Sequence, residues 1–346
     1  MMILVSAAAG LVVILGLREL AWLAAPILLA LVIVVLVHPL HGWLRRRQVP
    51  PPVALGALLL VIYGVLVGVA LIIAVSLAQL ASVLPQYAAQ TSELLRSVAD
   101  WLAQFGIGRE QARGLLSGAD LNRLAGLLTD ALGAVAGFGA NLLFLLSLLL
   151  FLGIESTGIT QRLAAMQHTR PRAAEALYGF AVKTRRFLAV TTVFAVVVGA
   201  ADTLFLLWLG IPLALLWGVL AAACNYIPYV GFVIGLVPPA LLALLEGGVR
   251  LMVVVIVVYI LLNSLLTSLI PPYFVGDAVG MSITVTLISV VFWAWVLGPV
   301  GAILAIPLTL LVKAVLVDPD PAAAWAEGLI GATPRERRRQ FWRRTT

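Results

Sequence analysis

Hydrophobic positions in this chain form long continuous runs, and polar positions are confined to a few stretches between them. An apolar run near or above about 18 residues is typical of a helix that crosses a bilayer. The runs that approach or exceed this length are Ile3 to Leu17, Leu20 to Val37, Val53 to Leu80, Phe138 to Ile154, Phe187 to Leu209 and Leu251 to Ile270. We therefore predict an all-α polytopic membrane protein with about six full spans.

The longest polar stretch, residues 81–137, has a helical rather than a disordered pattern. Leucines recur there at helical spacing with polar residues between them, at Leu121, Leu124, Leu128 and Leu132. Such spacing is typical of a helix with one apolar face. We predict an insert of amphipathic helices that lies outside the cytoplasm and packs on the membrane domain.

Together these patterns divide the chain into six parts. We predict three N-terminal spans in 1–80, the insert in 81–137, a span in 138–154, a basic cytoplasmic helical segment in 155–186, a transport core in 187–317 and a basic cytoplasmic tail in 318–346. The core contains two broken hairpins, at 211–246 and 281–312.

Helix breakers interrupt the most apolar part of the chain. The stretch "NYIPYVGFVIGLVPP", Asn225 to Pro239, has three prolines and two glycines and no charge. It separates two apolar runs of about fifteen residues, and fifteen helical residues rise only about 22 Å, less than the core of a bilayer. We predict a hairpin that enters the membrane and turns inside the protein. The alternative is a tight loop between two short full spans.

A second stretch repeats this plan. "PVGAILAIP", Pro299 to Pro307, has the same order as "PYVGFVIGLVP", with a proline, a Val-Gly pair, an apolar half-helix and a further proline. Irregular backbone at membrane depth is tolerated where it is buried in protein or lines a wet cavity, and paired broken helices mark the substrate site of many carriers. We therefore predict a transport pathway that includes the residues at these breaks: Asn225, Pro228, Gly231, Pro238, Gly298, Pro299, Gly301 and Pro307.

Three polar residues inside or beside apolar runs are further candidates for the pathway. Asp202 lies deep in a predicted span, and an isolated acid at such depth is rare and usually functional. Its alternative role is a structural hydrogen bond. Asn263 belongs to a polar stripe with neighbouring serines and threonines that could instead join helices. Asp277 follows a proline-glycine break, and we place it at the cytoplasmic mouth of the pathway. The alternative, to which we give equal weight, is that Asp277 has no part in transport.

Charge orients the predicted spans. The formal net charge is +7, and it is concentrated at Arg45 to Arg47, in residues 155–186 and in the tail from Lys313. By the positive-inside rule these segments are cytoplasmic and the slightly acidic insert is outside. Both termini are then cytoplasmic if the N-terminal pair of runs forms a hairpin. The basic tail is expected to meet anionic lipid, so the bilayer is a predicted partner and nucleic acid is not.

Composition argues against catalysis and against bound cofactors. The chain is 63% hydrophobic and 11% charged, and it has one cysteine, Cys224, which cannot form a thiolate metal cluster alone. The motifs of serine and zinc membrane proteases are absent from the sequence, and "PAL" at Pro239 precedes Asp277, the reverse of the order in intramembrane aspartyl proteases. We predict a protein that is not an enzyme and has neither cofactor nor metal.

Two long stretches also carry a family resemblance. "GIPLALLWGVLAAACNYIPYVGFVIGLVPPALLALLEGG" and "VVFWAWVLGPVGAILAIPLTLLVK" resemble the two signatures of the autoinducer-2 exporter (AI-2E) family. The resemblance implies a bacterial inner-membrane exporter of a small polar, autoinducer-2-like solute, coupled to an ion gradient and linked to quorum sensing. It also implies a homo-oligomer, as a pentamer. The alternatives are a sodium (lithium)/proton antiporter, whose ligand is a monovalent cation, and a membrane scaffold that transports nothing.

Overall fold

The structure is a computed structural model that describes residues 2–83, 133, 142–156, 158–228, 230–274 and 281–320. Its helices are α1 (Met2–Glu19), α2 (Ala21–Arg46), α3 (Pro51–Val83), α4 (Leu142–Ser156), α5 (Ile159–Thr169), α6 (Pro171–Trp208), α7 (Ala214–Cys224), α8 (Val230–Phe274), α9 (Ile283–Leu297) and α10 (Pro299–Val312). A single π-helical turn, Lys313–Val317, follows α10. Nearly all of the predicted insert, Asp277 and most of the tail lie outside the described residues.

The helices confirm an all-α polytopic membrane protein. Within the described residues, five helices are long and apolar enough to cross a bilayer: α2, α3, α6, α8, and α10 together with its π-helical turn. The bent pair of α4 and α5, at 61°, raises the number of spans to six if the pair counts as one. Their outward side chains are large and apolar, as Leu60 and Trp208 illustrate at 74% and 80% exposure. A surface of this kind is suited to lipid rather than water.

Helix α8 joins two segments that the sequence suggested were separate. The sequence ended the first hairpin at residue 246 and began the next crossing at Leu251, and the structure shows a sharp break within one helix between these positions. Gly247 and Gly248 have non-helical backbone angles, and Gly248 has φ +70° and ψ −167°. This region of backbone space is accessible essentially to glycine alone. The pair therefore redirects the helix within two residues.

Helices α1 and α2 are joined at a single residue. Leu20 N donates to Gly16 O at 3.0 Å and Ala24 N donates to Leu20 O at 2.8 Å, so helical hydrogen bonding continues up to the joint and resumes directly after it. The side chain of Arg18 stacks on the Trp295 ring at 4.5 Å, which ties α1 to α9. The cytoplasmic placement of both termini stays a prediction.

Helix α6 is at the centre of the packing. One apolar cluster joins it to α7 and α8 and includes Leu206, Trp217 and Val255. Another joins it to α2, α9 and α10, and includes Leu188 and Leu304. Two helix pairs, α7 with the first part of α8 and α9 with α10, therefore pack against different parts of α6.

Candidate functional site

Helices α6 and α7 cross with their backbones in contact, because both have glycine at the crossing. A Cβ added to Gly199 would lie 2.6 Å from the carbonyl oxygen of Gly218, and a Cβ on Gly218 would lie 1.8 Å from Thr203 Oγ1. The Thr203 hydroxyl is already hydrogen-bonded to Gly199 O at 2.7 Å, which holds it along its own helix. The close crossing places the next turn of α6, with Asp202, beside α7.

The turn between α7 and α8 is packed just as closely. A Cβ on Gly231 would lie 1.8 Å from the carbonyl oxygen of Cys224, and one on Gly235 would lie 3.1 Å from the Cα of Ala221. The first turns of α8 therefore lie directly on the end of α7. We call this helix pair, with the connection between its two helices, the first hairpin.

A small cavity of about 10 Å³ lies where the first hairpin meets α6 and the second half of α8. Four residues that we predicted for the transport pathway line it: Asp202, Asn225, Gly231 and Asn263. Its other lining residues are Val198, Ala221, Phe232, Gly235 and Tyr259. The breaks in the sequence and the isolated polar residues of two separate helices thus meet at one cavity.

Asp202 is the one acid on the cavity wall. Its residue is only 3% exposed, and its carboxyl group has neither a hydrogen bond nor an ion pair with the described residues. A charged group in such a place is costly unless it is protonated, paired or solvated through the cavity. The structural alternative for Asp202, a hydrogen bond that joins two helices, therefore finds no partner in the described part of the chain.

Tyr259 is a site residue that our reading of the sequence missed. It is 2% exposed, and its hydroxyl group has no hydrogen-bond partner among the described residues. The ring packs edge-on against Phe205, and the residue lines the same cavity as Asp202. Its spacing of four residues from Asn263 places both on one face of α8, and that spacing is the signal that could have revealed it.

Asn225 forms the end of α7 and also lines the cavity. Its side-chain Nδ2 donates to Ala221 O at 2.9 Å, and this local hydrogen bond fixes the amide at the wall. The adjacent Tyr226 hydroxyl is hydrogen-bonded to Thr192 Oγ1 at 2.8 Å, which attaches the turn to α6. The turn is therefore held on both sides of the site.

The other predicted pathway residues lie elsewhere. Pro228 is in the turn of the first hairpin and Pro238 is further along α8, and neither lines the cavity. Gly298, Pro299, Gly301 and Pro307 belong to the pair α9 and α10, which we call the second hairpin. This pair lies against α2 and another part of α6, within apolar clusters.

The second hairpin has a shorter turn than the first, and this turn depends on glycine. Gly298 alone forms its turn, with φ +69° and ψ −153°, and Pro299 begins the next helix. A Cβ on Gly301 would lie 1.9 Å from the carbonyl oxygen of Trp293. The Trp293 indole donates from Nε1 to Thr309 Oγ1 at 3.0 Å, which joins the two limbs.

The polar groups on the cavity wall are able to hydrogen-bond to a small molecule. Within the described ranges, no three histidine, cysteine or acidic residues are close enough to share a metal ion. The wall offers a carboxyl group, a phenol and two amides inside an apolar, membrane-embedded shell. Convergent polar groups in a largely apolar cavity are typical of a site that recognises a small molecule.

A polytopic helical protein with a buried polar cavity between broken helices belongs to the class of membrane carriers. The comparison with protein families gives the particular group: a model described as "AI-2E family transporter" matches residues 2–318, and the chain belongs to this family of membrane transport proteins.

Two relatives from Escherichia coli (strain K12) match over most of their length. "AI-2 transport protein TqsA" is 29% identical over 305 residues, which is 88% of each chain. "Putative transport protein YhhT" is 28% identical over 313 residues, which is 90% of this chain and 89% of that protein. The resemblance of the two signature stretches is confirmed over the whole membrane domain.

Proposed function

We propose that this protein exports a small polar, autoinducer-2-like solute across the bacterial inner membrane, and that it binds the solute in the cavity around Asp202. The observation that carries the proposal is the buried carboxyl group of Asp202, which has no compensating partner among the described residues and faces a space lined by polar groups. The name of TqsA, which is similar over 88% of the chain, supports autoinducer-2 as the first solute to examine.

Coupling to a proton gradient follows from the position of Asp202. A carboxylate at membrane depth costs on the order of 3 kcal/mol to insert, so it is stable there when it is protonated or when a solute or water replaces the lost hydration. The titratable group that faces it is Tyr259 from α8, while α7 presents the amide of Asn225. Alternation of the cavity between the two sides of the membrane would load and release a proton at Asp202.

The same carboxyl group favours one alternative, a sodium or lithium/proton antiporter. Carboxylate, phenol and amide oxygens are hard ligands of the kind that alkali cations accept, and Asp202, Tyr259, Asn225 and Asn263 supply them at one cavity. In that case the cation competes with the proton for Asp202, and no organic solute is required. A scaffold without transport activity has no use for an uncompensated acid at this depth.

The decisive measurement is flux in reconstituted vesicles with and without an imposed pH difference. We expect the wild type to move autoinducer-2 faster with the pH difference, and Asp202→Asn to bind and move the solute without responding to it. Asp202→Glu keeps a titratable group and should retain part of the response. Glu155→Gln is the matched control, because it makes the same change from acid to amide in an exposed ion pair with Arg162.

The outcomes separate the three functions. Proton flux driven by sodium or lithium without autoinducer-2 would establish the antiporter. Vesicles that move neither solute nor ion would support the remaining alternative, a membrane scaffold without transport activity. An Asp202→Asn variant whose flux follows pH as the wild type does would remove Asp202 from the coupling.

A further inference from the structure

Tyr259 presents a polar atom that its surroundings leave without a partner. The hydroxyl group is fully buried and has no hydrogen bond from the described residues, although phenols in protein interiors usually find one. The ring itself is well fixed, since it packs on Phe205 and belongs to the apolar cluster of α6, α7 and α8. The fixed ring therefore holds the hydroxyl group at the cavity and keeps it available there.

Asp202 stands across the same cavity from a different helix. Both residues line this cavity, and the Tyr259 hydroxyl group has no hydrogen bond to Asp202. The cavity that both groups line has room for about one water-sized polar atom. A hydroxyl group is the chemical function that satisfies both, because its oxygen accepts from the phenol while its proton is donated to the carboxyl oxygen.

The cavity lining also sets the charge that a ligand can carry. Among the described residues, those that line it include one acid and neither lysine, arginine nor histidine. An anion would face Asp202 in a weakly screened interior with no cation to offset the repulsion. An uncharged ligand meets no such penalty.

We propose that Tyr259 is the specificity-determining residue of this cavity, and that Tyr259 and Asp202 together bind one hydroxyl group of an uncharged solute. The inference rests on the proposed function only in placing the transported solute in this cavity. Tyr259 donates to the hydroxyl oxygen, and Asp202 accepts the hydroxyl proton. Replacement by phenylalanine keeps the ring and its packing and removes the donor alone.

The first experiment needs no knowledge of the natural solute. In a Cys224→Ala background, Val198→Cys places a thiol on the cavity wall of the full-length protein in vesicles. Three methanethiosulfonate reagents of similar size serve as probes: hydroxyethyl, ethyl and sulfonatoethyl. Each labelling rate is divided by the rate of the same reagent with a free thiol in solution.

We expect the hydroxyethyl reagent to label fastest, by about tenfold over the ethyl reagent, which is the range expected for one buried hydrogen bond to the ligand. Tyr259→Phe should bring that ratio to about one. The anionic sulfonatoethyl reagent should be the slowest, and Asp202→Asn should raise its rate. The control is Tyr178→Phe, which removes an exposed hydroxyl group far along α6 and should change no ratio.

An unchanged hydroxyethyl-to-ethyl ratio in Tyr259→Phe would overturn the proposal, and so would equal labelling by the anionic reagent. Failure of all three reagents to reach position 198 would also overturn it, since the cavity would then be closed to solutes. A second readout is the autoinducer-2 concentration that gives half-maximal flux, which should rise about tenfold in Tyr259→Phe with the maximal rate retained. Absence of flux in the wild type would contradict the proposed solute and leave the labelling result to decide the role of Tyr259.

Discussion

Both hairpins contain a glycine that contacts a backbone carbonyl oxygen, but the side chains around this contact differ between them. In each, a glycine just after the turn lies on a carbonyl oxygen near the end of the preceding helix, Gly231 on Cys224 and Gly301 on Trp293. The first hairpin surrounds this contact with Asn225 and a cavity shared with Asp202. The second surrounds it with apolar side chains and an internal hydrogen bond from Trp293 to Thr309.

This difference shows that a broken helix in a membrane is not by itself a binding site. The polar groups that the backbone turns toward a neighbour decide its use, and within the described ranges only the first hairpin lines a cavity with an acid. Its turn region packs, through Tyr226 and Ile227, onto the apolar cluster that contains the second hairpin. The cluster that contains the second hairpin therefore supports the turn of the first hairpin.

The largest effect is expected when the glycine contact that both hairpins share is removed. Gly231→Leu and Gly301→Leu would each place a side chain within 2 Å of a backbone carbonyl oxygen, at 1.8 and 1.9 Å for the Cβ alone. Backbone cannot move aside as a flexible side chain can. We expect both variants to insert into the membrane at wild-type levels and to lose solute flux entirely, measured in vesicles.

Gly64→Leu is the control, because a Cβ at Gly64 in α3 meets no atom within 4 Å. Normal flux in both hairpin variants would contradict the close packing and favour a simple loop between short spans. Loss of flux in Gly231→Leu alone would show that the second hairpin tolerates a shift that the first does not.

A smaller effect is expected from a change confined to the first hairpin. Asn225→Leu removes an amide from the cavity wall and breaks only its local hydrogen bond to Ala221 O. One lost hydrogen bond to a buried solute corresponds to about a tenfold loss. We expect solute affinity to fall by about this factor while the amount of folded protein stays the same, measured by flux against solute concentration and by thermal unfolding in detergent. A loss of stability without a loss of affinity would make Asn225 a structural cap only.

The smallest effect on flux should come from the corresponding polar group of the second hairpin. Thr309→Val keeps the shape of the side chain and leaves the Trp293 indole N–H without its acceptor, which costs about 1–3 kcal/mol of stability. We expect a lower unfolding temperature and a change in flux of less than about twofold, since the group lies outside the cavity. A large fall in flux at unchanged stability would give the second hairpin a direct part in solute binding.

Much of this architecture could be predicted from the sequence because bilayer crossing imposes a strong pattern. Long apolar runs gave the spans, and Asp202, Asn225, Gly231 and Asn263 stood out because a polar or helix-breaking residue is conspicuous in an apolar run. Their convergence on one cavity supports the expectation that breaks and isolated acids mark a site. Their role in transport stays a prediction.

Other features could not be found in this way. Tyr259 resembles any packing aromatic in a span, and its importance depends on an unpaired hydroxyl group that only three-dimensional neighbours reveal. Gly199 and Gly218 lie in different helices, so their contact leaves no local pattern. The two proline-glycine motifs are nearly alike in sequence, yet they differ in what surrounds them, and the sequence alone therefore assigned both to one pathway.

The cavity has a further consequence for how the protein is made. Its lining residues in the described part of the chain all come from one continuous stretch, from Val198 to Asn263, and the second hairpin begins only later, at Ile283. Contacts between residues that are close in sequence form with a low entropic cost, and domains generally fold in order from the N-terminus as they are synthesised. We therefore expect the cavity to form before the second hairpin docks against α6.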